Sequence, residues 1–419
     1  MNFEIISVGT ELLLGQIVNT NAQVISRMLS ELGFNVYYTT VVGDNPARLK
    51  SALEAAAGRA DGIITTGGLG PTGDDLTKET IAAYCGLRCV MHEESRRRIE
   101  VRFASQGQYM PESNLKQAEM PEGCIILEND NGTAPGAIIE TDRNVFIMLP
   151  GPPSEMRPML LGKVRSYLEK RAECVIHSKS LRIFGVGESA AEEKLKAVIE
   201  RQTNPTIAPY AKTGEMELRL TARARNVTEA ERMLAPLEAE VREILGDFVY
   251  AEGEDANLQN TVVELLCGKS LTVATAESCT GGLVAKKLTD IPGSSGCFQC
   301  GLVTYSNEKK QELLGVSGDT LAACGAVSEK TALEMSRGVR ERSGADIGIG
   351  ITGIAGPGGG TEEKPVGLVY ISICADGIHK AYRFYLAGGR DMVRERASLY
   401  ALDMIRRCVL GKLGADYIW

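Results

Sequence analysis

Ser278 closes the apolar stretch Leu271-Thr272-Val273-Ala274-Thr275-Ala276-Glu277 and opens the turn Ser278-Cys279-Thr280-Gly281-Gly282. Leu283-Val284-Ala285-Lys286-Lys287-Leu288 follows with helical spacing. The pattern reads as a buried strand, a tight turn and a helix. A serine exposed at such a turn suits a nucleophile. The nearby helix N-terminus would offer free N–H groups to developing negative charge. The same pattern also suits a plain helix cap, made by Ser278 or Thr280. Cys279 is an alternative nucleophile.

A nucleophilic serine needs a base. The chain has three histidines, His92, His177 and His379, each in an ordinary helical or strand context. A Ser–His–Asp arrangement needs a histidine at a turn beside the serine, so the expected base is a lysine. In Gly301-Leu302-Val303-Thr304-Tyr305-Ser306-Asn307-Glu308-Lys309-Lys310, a strand runs into Tyr305. Ser306 can cap the next helix, with Lys310 four residues on. Lys310 is either a solvated helix lysine or a desolvated one able to lose its proton beside a serine. Ala345–Pro357 is a further strand ending in a glycine turn, where backbone N–H groups and the Thr352 hydroxyl could hold an oxyanion. Arg390 and Arg394 could bind a substrate phosphate or be solvated. Cys297-Phe298-Gln299-Cys300 lacks a second ligand pair for zinc and reads as two core cysteines.

A second set of polar residues lies near the N-terminus. Strand and helix patterns alternate at 3–8, 21–32, 35–42, 46–57 and 61–67, which implies a parallel sheet covered by helices. Ligands of such sheets bind at the carboxyl ends of the strands. Gly9–Gly15 follows the first strand, Val42-Gly43-Asp44-Asn45-Pro46 the second, and Thr65-Thr66-Gly67-Gly68-Leu69-Gly70-Pro71-Thr72-Gly73-Asp74-Asp75-Leu76-Thr77 the third. The glycines allow close backbone approach to phosphate oxygens, and the acids could hold a divalent cation. No Gly-Lys-Ser/Thr follows, and the pattern is not a dinucleotide fingerprint. A long turn with Asp74 or Asp75 as helix cap is the plainer alternative.

The chain that positions these residues has 419 of them and a formal charge of −8, enough for about two or three domains. The charge argues against a broad nucleic-acid surface. No apolar run approaches the roughly 20 residues of a membrane span. The first residues already read as a strand, and eleven scattered cysteines suit a reducing cytoplasm. Between the two candidate sites, strands are expected at 175–184, 206–210, 215–224 and 247–250, and helices at 189–199 and 228–245. Thr228 would cap the second helix, with Glu231 three residues on. Residues 251–256 read as a linker.

Several of these motifs resemble a known family. Thr66-Gly67-Gly68-Leu69-Gly70-Pro71-Thr72 with Asp75 and Thr77 is similar to the molybdopterin-binding-like domain of molybdenum-cofactor biosynthesis proteins. Gly9–Gly15, Asn19-Thr20-Asn21, Asn131-Gly132-Thr133-Ala134-Pro135-Gly136 and Leu149–Met156 narrow the resemblance to the competence/damage-inducible CinA family. Ala276–Gly282, Val303–Asn307, Gly325-Ala326-Val327-Ser328, Thr352–Pro357 and Lys364-Pro365-Val366-Gly367 resemble the C-terminal nicotinamide mononucleotide deamidase domain of that family. The resemblance implies an α/β protein in three parts: a molybdopterin-binding-like α/β/α domain over 1–172, a small α+β KH-like domain over 173–252, and a three-layer α/β/α deamidase domain over 257–415. It implies a two-activity hydrolase acting on small nucleotides. Nicotinamide mononucleotide would be deamidated without a cofactor, by Ser278 as nucleophile, Lys310 as base and Tyr305 assisting. ADP-ribose would be hydrolysed with a divalent metal ion at Asp44 and Asp75. Expected substrate contacts are Thr280, Gly281, Gly282, Asn307, Gly353 and Arg394 in the C-terminal part, and Gly67, Gly68, Gly70, Thr72 and Gly136 in the N-terminal part. The middle part lacks a GXXG loop, since Gly185-Val186-Gly187-Glu188 is not one, so a structural or dimerising role in a homodimer is expected over RNA binding. Two other classes stay open: a molybdopterin-binding transferase, and a nucleotide-sensing interaction protein without turnover.

Overall fold

The computed structural model describes residues 1–212 and 214–414. The chain divides into two compact units, Met1–His177 with Ala222–Arg232, and Ser178–Thr221 with the chain from Met233 on.

The first unit runs β1 (Asn2–Val8), α1 (Thr10–Leu13), α2 (Thr20–Glu31), β2 (Asn35–Val42), α3 (Pro46–Ala57), β3 (Gly62–Thr66), α4 (Thr77–Tyr84), β4 (Cys89–Met91), α5 (Glu93–Ser105), β5 (Glu119–Pro121), β6 (Ile125–Leu127), β7 (Gly136–Glu140), β8 (Val145–Leu149), α6 (Pro153–Met159) and α7 (Arg165–Glu169). Its main sheet has the order β2-β1-β3-β8-β7-β6. β1 pairs parallel with β2 and β3, and β3 with β8. Every residue of β3 is buried, as a central parallel strand covered on both faces requires. Alternate residues of β1 serve opposite layers: Phe3 and Ile5 pack with Ile25 and Leu29 of α2, while Ile6 and Val8 pack with Leu49 and Leu53 of α3. The parallel strands bring the loops after β1, β2, β3 and β8 to one edge.

The middle segment comprises β9 (Val175–Ile183), α8 (Glu188–Arg201), β10 (Thr206–Lys212), β11 (Glu215–Ala224), α9 (Val227–Leu245) and β12 (Val249–Glu252), with sheet order β10-β11-β9-β12. Two expectations shift here. The last strand starts at Val249 because Gly246–Phe248 form a 3-10 turn. Thr228 does not cap α9. Asn226 accepts the Glu229 N–H at 2.9 Å, and the Glu229 carboxylate accepts the Arg225 N–H at 3.0 Å, so the reciprocal cap sits two residues earlier.

The C-terminal segment runs α10 (Leu258–Gly268), β13 (Val273–Glu277), α11 (Leu283–Thr289), β14 (Phe298–Val303), α12 (Asn307–Leu314), α13 (Gly318–Cys324), α14 (Glu329–Ser343), β15 (Ile347–Gly353), β16 (Leu368–Ala375), β17 (Ile378–Tyr385) and α15 (Arg390–Val409). The sheet order is β14-β13-β15-β16-β17. β14, β13 and β15 are parallel, and β16 and β17 continue antiparallel. Val273 packs on one face with residues of α10, α11 and α15. Ala274 and Ala276 pack on the other with Leu314, Met335 and Val339 of α12 and α14. The chain thus leaves β13 across one face and returns to β15 across the other. Such a reversal opens a crevice at the carboxyl end of the central strand, and Ser278 is the first residue past that end. Among the described residues no helix is long and apolar enough to cross a membrane.

Candidate functional site

Three parallel strand ends converge on Ser278. The Ser278 N–H donates to the Ile351 carbonyl at 2.9 Å, and the Thr304 N–H to the Glu277 carbonyl at 2.9 Å. Continuing this register sets Thr304, Ser278 and Thr352 abreast across β14, β13 and β15. Gly282, with φ 89°, turns the chain from Ser278 into α11 in a conformation that side chains resist.

Lys310 reaches this turn from α12. Ser306 caps that helix by accepting the Lys309 N–H at 3.2 Å, which fixes where Lys310 points. Lys310 is 1% exposed and Ser278 9%. The Lys310 Nζ lies 3.1 Å from Ser278 Oγ, 2.8 Å from the Thr304 carbonyl and 3.5 Å from the Tyr305 carbonyl. Burial pushes the Lys310 ammonium below its ordinary value, against the opposing influence of Cys279 and Glu308. A neutral amine has two hydrogens and one lone pair. Carbonyl oxygens can only accept, so the two carbonyls take the hydrogens and the lone pair faces the Ser278 hydroxyl. The arrangement can draw a proton from Ser278. Cys279 is buried instead, and burial pushes its thiol up to about 12, so at neutral pH it stays protonated.

Neither Ser278 nor Thr280 caps α11. The buried Glu277 does so, accepting the Ala285 N–H at 2.9 Å and the Val284 N–H at 3.2 Å. The helix N-terminus expected to stabilise an oxyanion is therefore already occupied by a carboxylate. Glu277→Ala is expected to cost about 2 kcal/mol by stranding these two donors, and less as Glu277→Gln, read from urea unfolding midpoints. An unchanged midpoint would mean that water replaces the carboxylate.

The other expected residues are distributed unevenly. The Thr352 hydroxyl donates to the Ala326 carbonyl at 2.7 Å, so its proton is committed to that loop and not available to an oxyanion. The hydroxyls of Thr280 and of Thr304, which lies abreast of Ser278, are both buried and have no protein partner among the described residues, so two side-chain donors beside Ser278 are uncommitted. The Tyr305 ring is 63% exposed and its hydroxyl accepts from Arg390 at 3.2 Å; Tyr305 meets Lys310 through its carbonyl, not its phenol. Arg394 does not present its fork to a phosphate. Its Nε and Nη2 hold the Thr280 carbonyl at 3.3 and 3.0 Å, beside Gly281. Arg390 also donates to the Gly356 carbonyl at 2.8 Å. Asn307 is exposed in the first turn of α12, and Gly353 packs against Leu368 and Val369. Sequence reasoning missed Glu277 as a cap and Thr304 as the carbonyl that orients Lys310. The strand register was the only signal for Thr304.

In the N-terminal unit Asp44, Gly67, Gly68, Gly70, Thr72 and Asp75 line one cavity of about 450 Å³. A Cβ on Gly67 would meet the Val8 carbonyl at 2.1 Å, and its φ of 100° suits glycine alone. Gly136 does not line the cavity: it is buried in β7 under the Met148 carbonyl and the Met159 sulfur. Asp44 Oδ2 accepts from the Thr10 N–H at 2.9 Å and hydroxyl at 2.8 Å. Asp75 Oδ2 accepts from the Thr72 N–H at 3.0 Å and hydroxyl. Neither Asp74 nor Asp75 caps α4, whose cap position is Leu76. Lys116, which no motif singled out, donates to the Thr72 carbonyl at 2.9 Å and to the Asp75 carbonyl, and the buried Lys78 holds the Lys116 carbonyl at 2.9 Å. Among the described residues the cavity is lined by five carboxylates, Glu11, Asp44, Asp74, Asp75 and Glu155, and by no lysine, arginine or histidine. Among the described residues no three His, Cys, Asp or Glu side chains group closely enough to hold an ion by themselves. One or two carboxylates completed by substrate oxygens is the way Mg²⁺ is commonly bound, and the free Oδ1 atoms of Asp44 and Asp75 fit that mode.

Residues 4–170 match the family described as "Probable molybdopterin binding domain", residues 178–251 "Damage-inducible protein CinA KH domain", and residues 255–409 "CinA C-terminal domain". A CinA-like protein of Kosmotoga olearia is 52% identical over 98% of this chain and 99% of its own length. A putative competence-damage inducible protein of Clostridium novyi is 52% identical over the same shares. The crystal structure of competence/damage inducible protein CihA from Agrobacterium tumefaciens is 45% identical over 35% of this chain and 91% of that chain, with a TM-score of 0.35.

Proposed function

The chain belongs to the CinA family, and from that premise we propose that its C-terminal segment hydrolyses the carboxamide of nicotinamide mononucleotide. The observation that carries the reading is the buried Lys310 amine set 3.1 Å from Ser278 Oγ. Ser278 Oγ attacks the carboxamide carbon while its proton passes to Lys310. The Thr280 hydroxyl, free of protein partners, donates to the oxyanion. Lys310 returns the proton to the leaving nitrogen, and ammonia departs. Water, deprotonated by Lys310, then cleaves the acyl ester to nicotinic acid mononucleotide and restores Ser278. Nucleophile and base are both side chains of this chain, so ammonia release from nicotinamide mononucleotide is expected to proceed in EDTA. No release by folded protein would remove the deamidase reading and favour nucleotide sensing without turnover.

A specific observation supports a second activity, hydrolysis of ADP-ribose to AMP and ribose 5-phosphate in the N-terminal unit. An acid-lined cavity without a basic side chain repels a pyrophosphate unless a cation comes with it. A divalent ion held by Asp44, Asp75 and the pyrophosphate oxygens would neutralise that charge and polarise the phosphoryl group. Thr10 and Thr72 hold the two carboxylates in place, and Lys116 fixes the glycine loop that faces the phosphates. Molybdopterin binding by the protein, with no turnover of ADP-ribose, would favour the transferase reading.

A further inference from the structure

A second cavity of about 320 Å³ opens beside the acid-lined one and shares Val8, Glu11, Gly151 and Pro152 with it. Its size suits a small-molecule subsite. Leu12, Ile17, Val18 and Pro153 give it apolar walls. The polar group of interest is Asn21, near the start of α2. Its Nδ2 donates to the Gly151 carbonyl at 2.7 Å and to the Thr66 hydroxyl at 3.0 Å. The Thr66 hydroxyl gives its own proton to the Pro150 carbonyl at 3.0 Å, so toward Asn21 it accepts. Both partners are acceptors, and the amide can sit only one way round. Among the described residues Asn21 Oδ1 is left buried without a donor. A buried acceptor held in a fixed direction and unpaired is an energetic cost that a ligand donor would remove.

We propose that this cavity is the nucleobase subsite of the N-terminal unit, and that Asn21 Oδ1 accepts a hydrogen bond from the exocyclic amino group of the base. The apolar walls suit the flat faces of a purine, and the shared wall places the base beside the cavity assigned to the pyrophosphate. The inference rests on the ADP-ribose reading and makes it selective: an amino-bearing base is accepted, and the same nucleotide with a keto oxygen there presents acceptor to acceptor.

The test uses the full-length protein with Mg²⁺, comparing kcat/KM for ADP-ribose and for its hypoxanthine analogue, IDP-ribose. Wild type is expected to prefer ADP-ribose by about tenfold or more, the worth of one hydrogen bond to a buried acceptor. Asn21→Ala is expected to bring the two substrates within about twofold, with ammonia release from nicotinamide mononucleotide unchanged as the sign of an intact fold. Equal rates in wild type, or a preference that survives Asn21→Ala, overturn the proposal. If wild type hydrolyses neither nucleotide, the pyrophosphatase reading fails by itself, and calorimetry with AMP and IMP decides the subsite. Tighter binding of AMP, lost in Asn21→Ala, supports it; equal binding or none overturns it.

Discussion

Ser278→Ala is expected to lower ammonia release from nicotinamide mononucleotide by about a thousandfold or more, whereas Cys279→Ala stays within about threefold. The contrast follows from environment. Ser278 Oγ faces the amine of Lys310, and Cys279 faces the core with its thiol pushed up to about 12. A thiol so placed carries almost no thiolate at neutral pH. Near-normal turnover by Ser278→Ala, with loss in Cys279→Ala, would reverse the assignment. Circular dichroism melts of both variants separate chemistry from folding.

Lys310→Arg and Lys310→Met are expected to be as inactive as Ser278→Ala. A guanidinium does not deprotonate in a protein, and methionine has no basic nitrogen. The wild-type protein supplies the sign of the pH effect. Burial lowers the folded-state value for Lys310 below the unfolded one. In the proposed reaction the acting form is the neutral amine, so kcat/KM is expected to rise with pH and level off above the folded-state value. Stability follows the same direction. Between the folded and unfolded values the unfolded chain binds the additional proton, so stability falls as the pH drops through that window. Lys78, also lowered by burial, contributes in the same sense. The difference between wild type and Lys310→Met in urea midpoints at pH 7 and pH 9.5 isolates Lys310: the rise with pH is smaller in the variant. A kcat/KM that falls with rising pH across neutrality would exclude a lysine base.

What the sequence made legible was local. α3 and β2 fall where the alternating strand and helix patterns put them. The strand–turn–helix around Ser278 and the Ser306 cap that aims Lys310 are short-range patterns of the same kind. The misses are groups whose partners are distant in the chain. Thr352 donates to Ala326, 26 residues away, and Arg394 to Thr280, 114 residues away. Nothing in the neighbourhood of either residue announces those partners. Gly136 carries a motif glycine, but its need is for close approach to β8 and α6, not for a ligand. In the acid-lined cavity the acids were legible from the loops after β2 and β3, while Lys116 was not, because the two carbonyls it holds lie more than forty residues upstream and its carboxylate partner Glu79 nearly as far.

Arg390 and Arg394 stand one helical turn apart at the start of α15. One reaches the turns after β14 and β15, and the other the turn after β13. The alignment of the three turns around Ser278 is thereby delegated to a single helix end. Helix ends are the first part of a helix to fray, and fraying here would slacken all three turns together while the sheet beneath stayed intact. The proposed activity would fail on warming before the fold does, as one cooperative event and not as three independent ones.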